Sequence, residues 1–147
     1  MRLSKRGEYG LRAMIRLADI HQSSPQPVLT QIKALSSIEN IPIKYLEQIL
    51  LALKNAGLLN SKMGAGGGYY LARPPEDIYL GQIERVLDGP LAPIRCVSQV
   101  AYEPCDCPDE KTCGLRMVMG DVRDAIADIL DNTSLRDVCE RIEAARD

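Results

Sequence analysis

A mainly α-helical fold with one small β-element is what this 147-residue sequence predicts, on three observations. Apolar residues make up 46% of the chain, yet it has no Phe or Trp and only six Tyr. The core must therefore be built from Leu, Ile, Val, Ala and Met, which suits helices better than a β-sandwich. Apolar positions recur at three-and-four spacing along several segments, the longest near the C-terminal end. A single glycine-rich run, Gly64-Ala65-Gly66-Gly67-Gly68, lies between two short stretches of strand character.

Taken in order, Ser4 can cap a first helix running to about Gln22, with Tyr9, Ala13, Leu17 and Ile20 on one stripe and Arg6, Arg12 and Arg16 off it. His21, the sole histidine, falls at its end, where a cation suits the helix dipole. Ser23-Ser24-Pro25-Gln26-Pro27 stops the helix. Thr30 starts a short second helix through Ile32 and Leu35, which gives way at Ser36-Ser37 and a Glu39-Asn40 turn. A third helix follows, with Asn40 or Ile41 near its cap, Pro42 in the first turn and Leu46, Ile49, Leu50 and Leu53 as core positions. Asn55-Ala56-Gly57 ends it. Residues 58–62 read as a strand, and Tyr69-Tyr70-Leu71 returns after the glycines.

Two short helices, a turn, a longer helix and a glycine-tipped hairpin are the order of a winged helix-turn-helix, whose third helix enters the major groove of duplex DNA. On that reading Lys44, Glu47 and Gln48, on the outer face of the third helix, are the candidates for base contacts. Arg2, Lys5, Lys62 and the wing glycines Gly66, Gly67 and Gly68 are the candidates for phosphate and minor-groove contacts. The glycine run does not fit a nucleotide loop. It lacks the Gly-Lys-Ser/Thr of a P-loop, and no helix opens from it.

Beyond Pro74-Pro75 a helix over about residues 80–87 carries Ile83, Val86 and Leu87 on one face. Gly89-Pro90 and Pro93 then commit the chain to an irregular loop. From Gly114 onward Leu115, Val118, Met119, Val122, Ala125, Ile126 and Ile129 repeat at helical spacing, for about 18 residues or roughly 27 Å. Leu115, Val118, Met119, Val122, Ile126 and Ile129 are the expected seam of a homodimer, because too little chain is left to cover them. Thr133 or Ser134 can cap a last helix through Leu135, Val138 and Ile142. The expected organisation is a DNA-binding domain over 1–75 and a cysteine-loop sensor and dimerisation region over 76–147.

Charge divides the same way. Residues 1–73 carry ten Lys/Arg against four Asp/Glu, and the remainder carries eight against sixteen. A basic half that faces a polyanion and an acidic half that avoids it account for this asymmetry. No apolar stretch reaches the length of a membrane span, and Met1-Arg2-Leu3-Ser4 opens no signal-peptide core, so the expected location is the cytoplasm, with no membrane partner. An enzyme is not expected, since the lone histidine has no nucleophile or metallohydrolase spacing near it.

Four of five cysteines, Cys96, Cys105, Cys107 and Cys113, crowd the acidic loop. In a reducing compartment such clustering points to metal ligands or redox thiols rather than structural disulfides. Soft thiolates suit zinc and iron–sulfur clusters comparably on spacing alone, and a thiol switch is a further reading. Cys139, on the apolar side of the last helix, reads as a small buried hydrophobe.

The motifs Met1-Arg2-Leu3-Ser4, Tyr45-Leu46-Glu47-Gln48-Ile49-Leu50, Leu53-Lys54-Asn55-Ala56-Gly57-Leu58 and Gly66-Gly67-Gly68-Tyr69, followed by a cysteine cluster, resemble the Rrf-two superfamily of bacterial transcription regulators of the IscR/NsrR type. The likeness spans nearly the whole chain. It implies a homodimeric DNA-binding regulator that senses iron–sulfur, iron or redox status through a 2Fe–2S or 4Fe–4S cluster on three cysteines. Carried over by position, those ligands are Cys96, Cys107 and Cys113, with Cys105 a rival for the middle one because the gap after Cys96 exceeds the family's compact spacing. Where IscR-like members place a histidine ligand, this chain has Arg116; the acidic ligand that NsrR-like members take from the first helix of the opposite subunit corresponds to Glu8. Met63 stands where the family's wing has an arginine. The alternatives are a thiol-redox or zinc-dependent regulator of the same fold and, from another class, a small iron–sulfur carrier or scaffold protein.

Overall fold

The computed structural model describes residues 2–24 and 26–147; Met1 of the N-terminal motif and Pro25 of the expected helix stop lie outside them. Six helices and one hairpin form the described chain: α1 (Lys5–Gln22), α2 (Ile32–Glu39), α3 (Ile43–Asn55), β1 (Leu59–Lys62), β2 (Gly68–Leu71), α4 (Leu80–Asp88), α5 (Gly114–Asp131) and α6 (Leu135–Arg146). Short 3-10 turns at Pro75–Asp77 and Arg95–Val97 join them. The fold is mainly α with a small antiparallel wing, as the sequence predicts.

Local signals place most of these elements. The Ser4 side chain accepts a hydrogen bond from the Gly7 amide and caps α1, and Ser134 with Asp137 forms a capping box on α6. Leu46, Ile49, Leu50 and Leu53 are all buried, so the α3 stripe lies as expected. Cys139 is buried in the core, 1% exposed.

Three boundaries differ from the sequence reading, each for a tertiary reason. Thr30 does not open α2, because its backbone pairs with the wing: its N–H donates to Tyr69 O at 2.9 Å and its carbonyl accepts from Tyr69 N at 2.8 Å. Nor does α2 give way at Ser36-Ser37. It continues to Glu39 and ends on Asn40 in the left-handed region (φ 55°), while the Ile41 N–H donates to Ser36 O at 3.1 Å. Pro42 is the N-cap of α3 rather than part of its first turn. In α1 the buried face is also turned toward small residues: Gly7, Gly10, Ala13, Met14, Leu17 and Ala18 are buried, and Tyr9 and Ile20 only half-buried.

That small-residue face lets α4 and α6 approach α1 closely. One buried cluster runs from Ala13 through Leu46, Leu59 and Ile83 to Leu135 and Cys139, so the core draws on both halves of the sequence. Arg6 Nε donates to Leu87 O at 3.1 Å at the end of α4, and Arg146 Nη2 meets Asp19 Oδ2 at 2.8 Å across α6 and α1. Between α1 and α4 lies an acid pair. Glu84 is only 3% exposed and neither of its oxygens accepts from a described donor. Burial, then a hydrogen bond with Asp88 and that group's charge, pushes its carboxyl up to about 8. For Asp88 burial acts upward, but hydrogen bonds from Glu84 and Ser4 and the nearby Arg6 charge outweigh it and hold the carboxyl below its usual value.

Helix α5 stands apart. None of its residues is buried, although it carries Leu, Val, Met and Ile. It is tied to α4 by a two-pronged ion pair, Arg85 to Asp131 at 2.6 and 2.8 Å, and to the Arg95–Val97 turn by Arg123 Nη1 donating to Val97 O at 2.6 Å. No helix of the described residues is long and apolar enough to cross a membrane.

Candidate nucleic-acid interface and cysteine site

Helix α3 presents Lys44, Glu47 and Gln48 to solvent, opposite its buried stripe, and none of the three makes an ion pair among the described residues. Tyr45 beside them is 41% exposed and stands edge-on to Tyr9, ring centroids 5.4 Å apart. Arg2 and Lys5 are exposed at the start of α1, and Lys62 is exposed where β1 ends. Lys54, which shares the polar face of α3 with Lys44, Glu47 and Gln48, is exposed too, and Lys33 on α2 is an exposed cation that pattern reading passed over; its place on the polar face of that helix was the available signal.

Not every cation of the basic half is free to face an anion. Arg12 donates to the Glu39 carbonyl and lies 3.5 Å from its carboxylate, Arg16 Nε meets Glu39 Oε2 at 2.7 Å, and Arg6 closes the end of α4. These three arginines hold α1 to α2 and α4, which leaves Arg2, Lys5, Lys33, Lys44, Lys54, Lys62 and Arg73 exposed.

The wing is a constrained turn. Leu59 pairs with Leu71 and Lys62 with Gly68, and the Gly67 N–H donates to Gly64 O at 3.1 Å. A Cβ on Gly67 would lie 2.1 Å from Lys62 O, and one on Gly68 would lie 2.5 Å from Thr30 O. Gly67 is buried and Gly68 half-buried, whereas Gly66 is exposed. The last two glycines thus close the turn and seat the wing against Thr30, two residues before α2.

The loop from Gly89 to Cys113 carries the four clustered cysteines, all of them free thiols. Its bonds are mostly local: Arg95 to Glu103 at 2.6 Å, Thr112 to Asp109 at 3.0 Å, and Tyr102 to Glu110 at 2.5 Å. Cys96 is buried in the Arg95–Val97 turn, 7% exposed; Cys105 and Cys113 are half-buried and Cys107 is exposed. The Cys107 N–H donates to Cys105 Sγ at 3.4 Å, and the Cys113 sulfur caps α5 by accepting from Arg116 N at 3.4 Å. A hydrogen bond with Cys105, then burial and the charges of Cys105 and Cys113, pushes the Cys107 thiol up to about 12. Cys105 and Cys107 are thus joined through a backbone bond, and Cys113 bears on the Cys107 thiol through its charge.

Glu8 lies elsewhere, on α1, half-buried between Lys5 at 3.6 Å and Arg12 at 3.9 Å. Among the described residues no three His, Cys, Asp or Glu side chains stand together as a metal-holding group. The donor chemistry nevertheless fits a soft-metal group: several thiols lie on a loop held by local bonds, next to the start of a helix.

A family model described as "Iron-dependent Transcriptional regulator", named Rrf2, matches residues 3–141. A putative HTH-type transcriptional regulator, rrf2-like, from Rhodobacter capsulatus is 36% identical over 138 residues, 92% of this chain and 91% of that protein. Among solved structures, CymR, described as the global cysteine regulator of B. subtilis, superposes with TM-score 0.76 at 35% identity, covering 96% of this chain and 98% of that one. An IscR from T. potens superposes with TM-score 0.77 at 31% identity, covering 100% and 92%.

Proposed function

We propose a sensing role for this chain, which belongs to the Rrf2 family of transcriptional regulators: a cytoplasmic, non-enzymatic homodimer binds duplex DNA and adjusts its affinity through an iron–sulfur cluster. The observation that carries the reading is that four free thiols lie on one loop whose last cysteine, Cys113, caps α5, so that whatever the thiols hold is linked to the one helix of the described residues with no buried face. In this reading α3 lies in the major groove with Lys44, Glu47 and Gln48 toward base edges. Arg2, Lys5, Lys62 and the Gly66-Gly67-Gly68 wing meet phosphates and the minor groove. Two α5 helices pair through Leu115, Val118, Met119, Val122, Ile126 and Ile129, three of which are more than half exposed in the single chain.

Cys96, Cys107 and Cys113 would hold the cluster, with Cys105 the rival for the middle position and Glu8 of the partner subunit as fourth ligand. When bound, the group supplies an electron-accepting centre sensitive to iron and oxidants. The chain's own residues do the rest. Ordering the loop pulls on Arg123 through Val97 O and on α5 through Cys113, and α5 sets the distance between the two reading heads.

A second reading, a thiol-redox regulator of the same fold, is favoured by the closeness of Cys105 and Cys107, whose N–H donates to Cys105 Sγ at 3.4 Å. Absorption spectra with iron, sulfide and zinc analysis of protein purified without oxygen separate the two. Visible charge-transfer bands with matching iron and sulfide support the cluster, and Ser at Cys96, Cys107 or Cys113 should abolish them while Cys139→Ser leaves them intact. Loss with Cys105→Ser but not Cys107→Ser would reassign the middle ligand. Zinc alone would make the site structural, and a metal-free dimer that loses DNA on disulfide formation would establish the thiol switch. A cluster in a protein without duplex affinity would indicate a carrier or scaffold.

A further inference from the structure

The wing has one side chain to offer. From Met63 to Gly68 the residues are Met, Gly, Ala, Gly, Gly and Gly, so whatever the tip places in a groove beyond backbone and a methyl group is the Met63 thioether. That side chain is 89% exposed, more than any other large hydrophobic of the described residues. Isolated exposed apolar residues are common and need no explanation by themselves, but this one is held out on a stiff support. The hairpin register ends at Lys62, the Gly64 carbonyl is bonded to Gly67 N, Gly67 has no room for a Cβ against Lys62 O, and Gly68 is seated on Thr30. Immediately before it stands the exposed cation Lys62, and no Asp or Glu occurs anywhere from residue 48 to residue 75.

A minor-groove floor of A·T pairs presents only acceptors, N3 and O2, and a thioether has no donor to give them. Pressed against that floor it would desolvate the acceptors without replacing their hydrogen bonds. The faces of partly unstacked bases are different: they are apolar and aromatic, and sulfur makes favourable contacts with aromatic rings. Apolar side chains inserted between base steps are a known way to read DNA by deformability, and pyrimidine–purine steps open most easily. We propose that Met63 is a minor-groove wedge that makes this regulator select a flexible pyrimidine–purine step at a fixed distance from the bases read by α3. The inference rests on the DNA-binding reading above. It differs from it in assigning sequence selection to a residue that makes no hydrogen bond to a base.

The test is selection of bound duplexes from a random pool by the full-length protein, both anaerobically reconstituted and metal-free. It is followed by fluorescence of 2-aminopurine placed at the selected step. The wild-type pool should be enriched in TA or CA/TG steps at one spacing from the α3-read bases, with fluorescence rising on binding as the base unstacks. Met63→Ala should lose that enrichment and the fluorescence rise and bind the selected duplex about tenfold more weakly, with unchanged helix content. Met63→Arg should shift selection toward narrow A-tracts. Enriched sites with no step preference, or a fluorescence rise that survives in Met63→Ala, would overturn the wedge and leave the DNA-binding reading standing. A pool that no form of the protein enriches would overturn both.

Discussion

Glu84 shows how a single side chain can escape pattern reading and still govern behaviour. It falls between Leu80, Ile83 and Leu87 on the buried stripe of α4, with Gly7 pressed against it: a Cβ there would lie 2.4 Å from Glu84 Oε1 and 2.3 Å from Asp88 Oδ2. With its carboxyl raised to about 8, the folded protein keeps a proton that the unfolded chain begins to lose near 4.5. Below that lower value both states are protonated and burial of the neutral acid carries no ionisation cost. As pH rises toward 8 the unfolded state gains increasingly from ionising, so the folded state's advantage falls by at most about 1.4 kcal/mol per pH unit. Asp88, shifted downward, stays charged throughout this window and contributes its own dependence only in acid. Wild-type thermal midpoints should therefore fall between pH 5.5 and 8.5, and Glu84→Gln, which keeps a donor toward Asp88, should flatten that fall. Parallel slopes for the two proteins by calorimetry would show that Glu84 ionises normally in the fold.

Elements carry the next predictions. In α5 the side chain of Val118 is 56% exposed and the helix has no buried residue, so Val118→Glu should leave helix content intact while placing a charge in the proposed dimer seam. Sedimentation velocity should then report monomers where the wild type sediments as a dimer; an unchanged dimer would move the interface to another surface. For the wing, Lys62→Ala should reduce the slope of log K against log salt by about one unit and weaken binding uniformly across sequences. An unaltered slope would show that Lys62 meets no phosphate.

For the whole molecule the decisive question is whether, in the proposed dimer, α1 of one protomer completes the cysteine site of the other. Glu8 lies on α1 and is tied there to Lys5 and Arg12, while Cys113 caps α5 and the other clustered thiols lie in the loop before it. If ligation crosses the dimer, Glu8→Ala and Cys113→Ser homodimers should each assemble the cluster poorly or not at all. A mixed dimer of the two variants should recover one intact site, measured as about half the wild-type iron and visible absorbance per dimer. No recovery would place all ligands within one protomer. If that ligation holds, a group gained or lost on the loop would act on α5 through Arg123 and Cys113 and on α1 through Glu8, and so reach both the spacing and the orientation of the two DNA-binding halves in the proposed dimer.

By itself the sequence determined the elements and the chemistry each one displays. Helix stripes, the Ser4 and Ser134 caps, the glycine-tipped hairpin and the crowding of four cysteines before a long apolar helix are all encoded within a few residues of one another, where periodicity and capping act. What only the tertiary structure decided lies between residues far apart in the chain. It took Thr30 from α2 to seat the wing, drew Arg6, Arg12 and Arg16 from the polar side of α1 to hold α2 and α4, and buried Glu84 beside Asp88. It also set the Cys107 N–H on Cys105 Sγ and Cys113 at the cap of α5 while leaving Cys96 buried in its own turn. A residue's type states which bonds it can make, whereas which of them it makes depends on the partner that folding brings within hydrogen-bond distance.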